Sequence, residues 1–254
     1  MKKSLLLVLV AFLPLFSSAK PKTIHVFVAL CDNQYQGIVK VPARIGNGQE
    51  PRTNLYWGAG YGVKNFFKIK SADWTYLKTI KSENPNILER IVFKHKTEDT
   101  YLLADAYDGR KIKECTEDFL YASNNQNIQK ITVNARPLEF GGGANLVCYV
   151  GHNGLMDFNL NPSFKMNTRP KKEVMILCCY AKNYFSSHLK RANAIPLLWT
   201  THLMAPEAYT LHDAIEGWIN GESGKEIDER AALTYNKYQK CGMRGARNLF
   251  TTGY

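Results

Sequence analysis

Leu146-Val147-Cys148-Tyr149-Val150-Gly151-His152-Asn153-Gly154, and then Val174-Met175-Ile176-Leu177-Cys178-Cys179-Tyr180-Ala181, are the parts of the Asn145 to Phe185 stretch that decide how this chain folds. Each is a short apolar run closed by turn residues, the pattern of a buried strand. Two such strands, parallel and adjacent, would deliver His152 and Cys179 to one edge of a sheet. Open α/β sheets place their sites at that edge. Cys179 is favoured over Cys178, because side chains alternate along a strand and the last residue lies nearest the open end.

Working outward, Thr23 to Leu30 is a nearly continuous β-branched and apolar run, as in a central parallel strand. The turn-rich segment Gln36 to Asn54 follows; loops of that length in compact domains usually carry function. Aromatic spacing predicts a glycine-containing helix from about Leu55 to Lys68, and Trp74 to Ile80 reads as a second amphipathic piece. Gly58, Gly60 and Gly62 lack the spacing of a phosphate loop. Glu89 to Lys94 and Thr100 to Tyr107 read as a β-hairpin, Lys111 to Ser123 as a helix, and Ala181 to Ala192 as a helix. Ala194 to Thr200 reads as a strand, and Pro206 to Asn220 and Glu226 to Lys240 as helices. The alternation predicts an α/β fold, a three-layer sandwich with a mostly parallel central sheet.

The chain opens Met1-Lys2-Lys3, continues with the apolar run Leu5 to Phe16, and then reads Ser17-Ser18-Ala19. That is the layout of a secretory signal peptide over residues 1–19, with cleavage after Ala19. The run is too short to span a bilayer comfortably, and no integral membrane segment is expected in the mature chain. Residues 20–254 then suit a single domain. The formal net charge of +11 is scattered rather than gathered into a basic stripe, which argues against a nucleic-acid partner. Of the six cysteines, Cys31, Cys148, Cys178 and Cys179 lie in or at the ends of apolar runs, so free thiols are expected rather than a disulfide framework. The spacing offers no zinc motif, and neither a metal nor a cofactor is expected.

Thiolate attack needs a lowered thiol pKa or a neighbouring base. Cys179 stands where a strand stops and a helix starts, so the helix N-terminus would favour the thiolate and supply N–H groups to an oxyanion. His152 follows its strand directly, between glycines that permit a tight turn, and the Gly154 N–H is a second oxyanion candidate. An apolar block ending in His-Gly, then one ending in a small residue and Cys, resembles the signature of the caspase-like cysteine peptidases, which include gingipains, clostripain, legumain and separase. About forty residues carry the resemblance, with Cys178 at the small-residue position. Asn153 intervenes between His152 and Gly154, and Tyr180 opens the helix where the family has Gly or Ser.

The resemblance implies a caspase-like fold and a polypeptide substrate, with Cys179 as nucleophile and His152 as general base and acid. It also implies a specificity pocket built from strand ends. Asp32, after the first strand, and Thr201 would contribute to that pocket, and an acidic Asp32 would favour Lys or Arg in the substrate. Read from the residues alone, Asp32 serves equally well as a turn cap with Asn33. Two other functions fit the chain. One is a catalytically inactive caspase-like binding or scaffolding protein. The other is an unrelated hydrolase or glycan-binding protein using the Gln34 to Asn54 loop.

Overall fold

The computed structural model describes residues 20–254; the expected signal peptide, residues 1–19, lies outside them. β1 (Lys22–Ala29) occupies the middle of an eight-stranded sheet. It pairs in parallel with β4 (Thr100–Tyr107) on one side and with β7 (Leu146–Val150) on the other. The parallel set continues through β8 (Glu173–Leu177) to β9 (Ile195–Thr200). β2 (Trp74–Ile80) and β3 (Ile87–His95) close one side antiparallel, and β10 (Phe250–Thr251) closes the other. The order is β10-β9-β8-β7-β1-β4-β3-β2. β1, β4, β7 and β8 are buried on both faces, which is why they read as continuous apolar runs rather than alternating ones.

Helices cover both faces. α2 (Ile112–Ser123) and α3 (Ala181–Ala192) lay Ile112, Cys115, Phe119, Phe185 and Leu189 on the face presented by Val147, Tyr149 and Ile176. α4 (Ala208–Ile219) and α5 (Gly224–Gln239) pack Leu211, Ile215, Ile227 and Ala231 on the opposite face, with Cys148, Val150, Met175 and Leu177. Ser223 and Glu226 start α5 with a reciprocal capping box, each side chain taking the other's backbone N–H. The chain therefore forms an α/β sandwich with a mostly parallel central sheet.

Two readings are corrected, and further elements appear. The helix expected over Leu55 to Lys68 is mostly turns: only α1 (Val63–Asn65) and a π-helical turn over Phe66–Lys70 form. There Asn54 takes over the role of a helical ladder, its carbonyl accepting from Trp57, Gly58 and Ala59. Trp74 to Ile80 is strand β2, since its alternate residues pair with β3 across a bulge at Tyr76 and Lys78. The hairpin β5 (Gln129–Val133) and β6 (Arg136–Phe140) was not foreseen. Its turn runs through Asn134 and Ala135, both with positive φ, and Val133, Leu138 and Phe140 cover Val92 and Leu103. A short helix, α6 (Met243–Leu249), leads into β10. Among the described residues no helix is long and apolar enough to cross a membrane.

Candidate active site

The register of β7 and β8 sets the site. Val150 faces Leu177, so two residues further His152 comes level with Cys179. Val150 and Leu177 both lie in the core under α4 and α5, and Cys179 continues the alternation past Leu177 on that side. Cys178 falls on the other face, fully buried with Tyr149 and Phe185, and burial pushes its thiol well above the ordinary value. Burial does the same to Cys31, pushed up to about 11, and to Cys115. All six cysteines are free.

Just past β7, Gly151 sits at φ +142°, a conformation in which a side chain would also press on the Ala29 carbonyl. This glycine turns the chain so that His152 and Cys179 open into one cavity of about 490 Å³. The cavity walls come from Ile38 and Val41 of the long loop, from Tyr56, and from Leu203, Met204 and Pro206 after β9. Its rim is apolar and exposed at Val39, Met156 and Leu203. Glu207 and Gln239 supply its polar end; Gln239 donates to Glu207, and burial pushes the Glu207 carboxyl up despite the hydrogen bond from Tyr209.

His152 is held at two points, and its carboxylate partner is held in turn. Its Nε2 lies 2.7 Å from Asp157 Oδ2. Its carbonyl accepts from the Tyr149 hydroxyl at 2.8 Å. Asp157 in turn accepts from the Gly37 N–H at 2.9 Å, and a side chain at Gly37 would collide with that carboxylate. Asp157 thus engages Nε2, and among the described residues Nδ1 takes no hydrogen bond, with Cys179 or any other group. Asn153 joins the two strand ends: its Nδ2 donates to the Cys179 carbonyl at 2.7 Å, and its Oδ1 accepts from Leu155 N–H. The half-buried Cys179 Sγ takes the Met204 N–H at 3.4 Å and lies 3.6 Å from the Met204 carbonyl.

The other residues singled out in the sequence take different places. Asp32 is buried at the sheet edge but does not reach the cavity. Its Oδ1 accepts from the N–H groups of Gln34 and Tyr35, and its Oδ2 from Gln49, so it caps the start of the long loop. Thr201 is likewise outside the cavity; its hydroxyl donates to the Asn248 carbonyl and anchors α6. Gly154 begins a single 3-10 turn (Gly154–Met156) behind His152. α3 starts at Ala181, with Tyr180 at its N-cap in the left-handed region and its N–H donating to the His202 carbonyl.

Asp157, Tyr56, Met204 and Glu207 were not singled out in the sequence. Asp157 carried a faint signal as the first carboxylate after His152, one tight turn downstream. A scan of protein-family models finds no match to this chain, and neither curated proteins nor solved structures yield one.

Proposed function

We propose that this protein is an exported cysteine peptidase of caspase-like fold, with Cys179 as nucleophile, His152 as general base and acid, and Asp157 as the carboxylate that orients His152. One observation carries the reading: the buried His152, pinned through Nε2 to Asp157, shares a single cavity with the half-buried Cys179 thiol. A histidine held this way presents its second nitrogen in a fixed direction, as nucleophile activation requires. The Met204 N–H is directed at Sγ at 3.4 Å.

In the proposed reaction His152 takes the thiol proton and Sγ attacks the scissile carbonyl carbon. The C–N bond breaks as the imidazolium returns its proton to the leaving amine. Water then hydrolyses the thioester with His152 again as base. The N–H of Cys179 and the start of the Gly154 turn are the candidate oxyanion donors. The apolar walls suit an extended peptide with bulky aliphatic or aromatic side chains, and the Lys/Arg preference expected through Asp32 loses its support now that Asp32 caps the loop.

The second reading is a binding protein without turnover. It draws on the Sγ contact with the Met204 carbonyl, which would hold the protonated thiol. Hydrolysis of fluorogenic peptide amides with apolar side chains, followed with intact-mass detection of an acyl adduct, separates the two. Turnover lost in Cys179→Ala supports the peptidase; peptide binding without hydrolysis or adduct supports the binding protein.

A further inference from the structure

On the same face of the sheet, away from the cavity, α4 meets the turn that precedes β2. His212 and Glu216 stand at i and i+4 on α4, and Asp73 comes from the turn. Their ligand atoms all lie within 4.8 Å of one another. We propose that His212 Nε2, Asp73 and Glu216 form a divalent zinc-class metal site that ties the turn before β2 to α4.

The hydrogen bonds settle which nitrogen carries the proton. Ser71 Oγ accepts the backbone N–H of both Asp73 (3.0 Å) and Trp74 (3.2 Å), which occupies its two lone pairs. Its remaining capacity is its one proton, which it donates to His212 Nε2 at 2.8 Å. Nε2 is therefore an acceptor, and the ring proton is on Nδ1, donated to Asp213 Oδ1 at 2.8 Å. A carboxylate on the far nitrogen is the arrangement that orients metal-ligating histidines.

Nε2 then faces Asp73 Oδ2 at 3.5 Å and Glu216 Oε1 at 4.0 Å with no proton to give to either. Three electron-rich atoms converge here, and a bound cation would take the Nε2 lone pair in place of the Ser71 hydroxyl, which would rotate away. Ligand atoms about 2.0–2.1 Å from a tetrahedral zinc are about 3.3 Å apart, so the three atoms, which lie within 4.8 Å of one another, draw together on binding. Glu216 is already placed, with Oε1 accepting from Trp74 Nε1 at 2.7 Å. Its Oε2 meets His95 Nε2 at 3.1 Å, and the Glu98 N–H on His95 Nδ1 puts that ring's proton on Nε2. His95 thus serves to hold Glu216 and not as a ligand. An imidazole beside two carboxylates suits zinc or a neighbouring transition ion, and not calcium.

This site is independent of the Cys179 chemistry, and its test keeps the two apart. Zinc chloride alone is titrated calorimetrically into the full chain carrying Cys179→Ala and Cys241→Ser, which removes the accessible thiols. One zinc per chain is expected. Asp73→Asn, on a half-exposed carboxylate, should abolish that binding, as should His212→Gln, with far-UV circular dichroism confirming that each variant is folded. Asp213→Asn should weaken it by about 10- to 100-fold. Cobalt bound at the same stoichiometry should show ligand-field bands without thiolate charge transfer. Absence of zinc binding, binding unaffected by Asp73→Asn, or calcium bound in zinc's stead would each overturn the proposal.

Discussion

Two histidine–carboxylate pairs share this sheet, and they have opposite fates. His25 lies in the middle of β1, with Nε2 2.9 Å from Asp105 Oδ2 and Nδ1 taking the Gly141 N–H at 2.9 Å. Asp105 is further gripped by Arg90 through two hydrogen bonds of 2.6 Å. Every nitrogen and oxygen is occupied, and His25 and Asp105 are fully buried. His152 has the same kind of partner at 2.7 Å, but it stands two residues beyond a strand end, with one nitrogen engaged and a cavity beside it. The residue types are alike. Position along the strand, and whether the second nitrogen is already used, sets the two pairs apart; on the proposed function it separates a structural pair from a reactive one.

The largest effect should appear at the open pair. Cys179→Ala should abolish peptide hydrolysis, and His152→Ala should lower it by about 10²- to 10⁴-fold, the usual contribution of a positioned base. Neither should shift the denaturation midpoint by much. At the closed pair the pattern should reverse: Arg90→Leu leaves a buried carboxylate short of its main partner and should cost about 3–5 kcal/mol in urea unfolding, with alkylation of Cys179 in the folded protein unchanged. A loss of Cys179 reactivity in Arg90→Leu under folded conditions would break the distinction.

Acid should find the closed pair next. Burial drives the His25 ring below its ordinary value of 6.5, against the pull of Asp105. The unfolded chain therefore binds a proton there that the folded chain resists. The stability from a neutral His25 is present above pH 6.5 and is lost as pH falls through the lower folded value, at up to about 1.4 kcal/mol per pH unit. Asp105 acts at still lower pH. Burial opposes its ionisation, but Arg90 and His25 overcome that and hold it below its usual value of 3.8. In His25→Gln the slope of stability against pH just below 6.5 should flatten; an unchanged slope would assign the acid sensitivity elsewhere.

Smaller still is the junction between the two strand ends. Asn153→Ala removes the amide that holds the Cys179 carbonyl and the cap on Leu155, and should cost about 1–3 kcal/mol and slow Cys179 alkylation. Cys178→Ala, on the opposite face, should cost about 1 kcal/mol and leave alkylation unchanged.

The sheet was legible because its central strands are short apolar runs, and the same period of two that hides Cys178 brings out Cys179. The Leu55 to Lys68 region reads as a helix because its aromatics have helical spacing, while the carbonyl of Asn54 and the glycines hold its backbone mostly in turns. Asn153, which interrupts the family-like signature, proves to be the residue that binds the His loop to the Cys loop. Asp157 and Asp32 show the limit of the sequence. Both are carboxylates in turns near strand ends. Which one meets His152 and which caps a loop depends on the path of Gln36 to Asn54, a segment with no periodicity to read.

The central claim, that His152 and Cys179 form a reactive pair, is tested most directly by residue-resolved alkylation with iodoacetamide near neutral pH, with exposed Cys241 as the reference thiol in the same chain. Cys179, although less accessible, should react faster than Cys241, and His152→Ala should remove that excess. Equal or slower labelling of Cys179, unchanged by His152→Ala, would contradict the account.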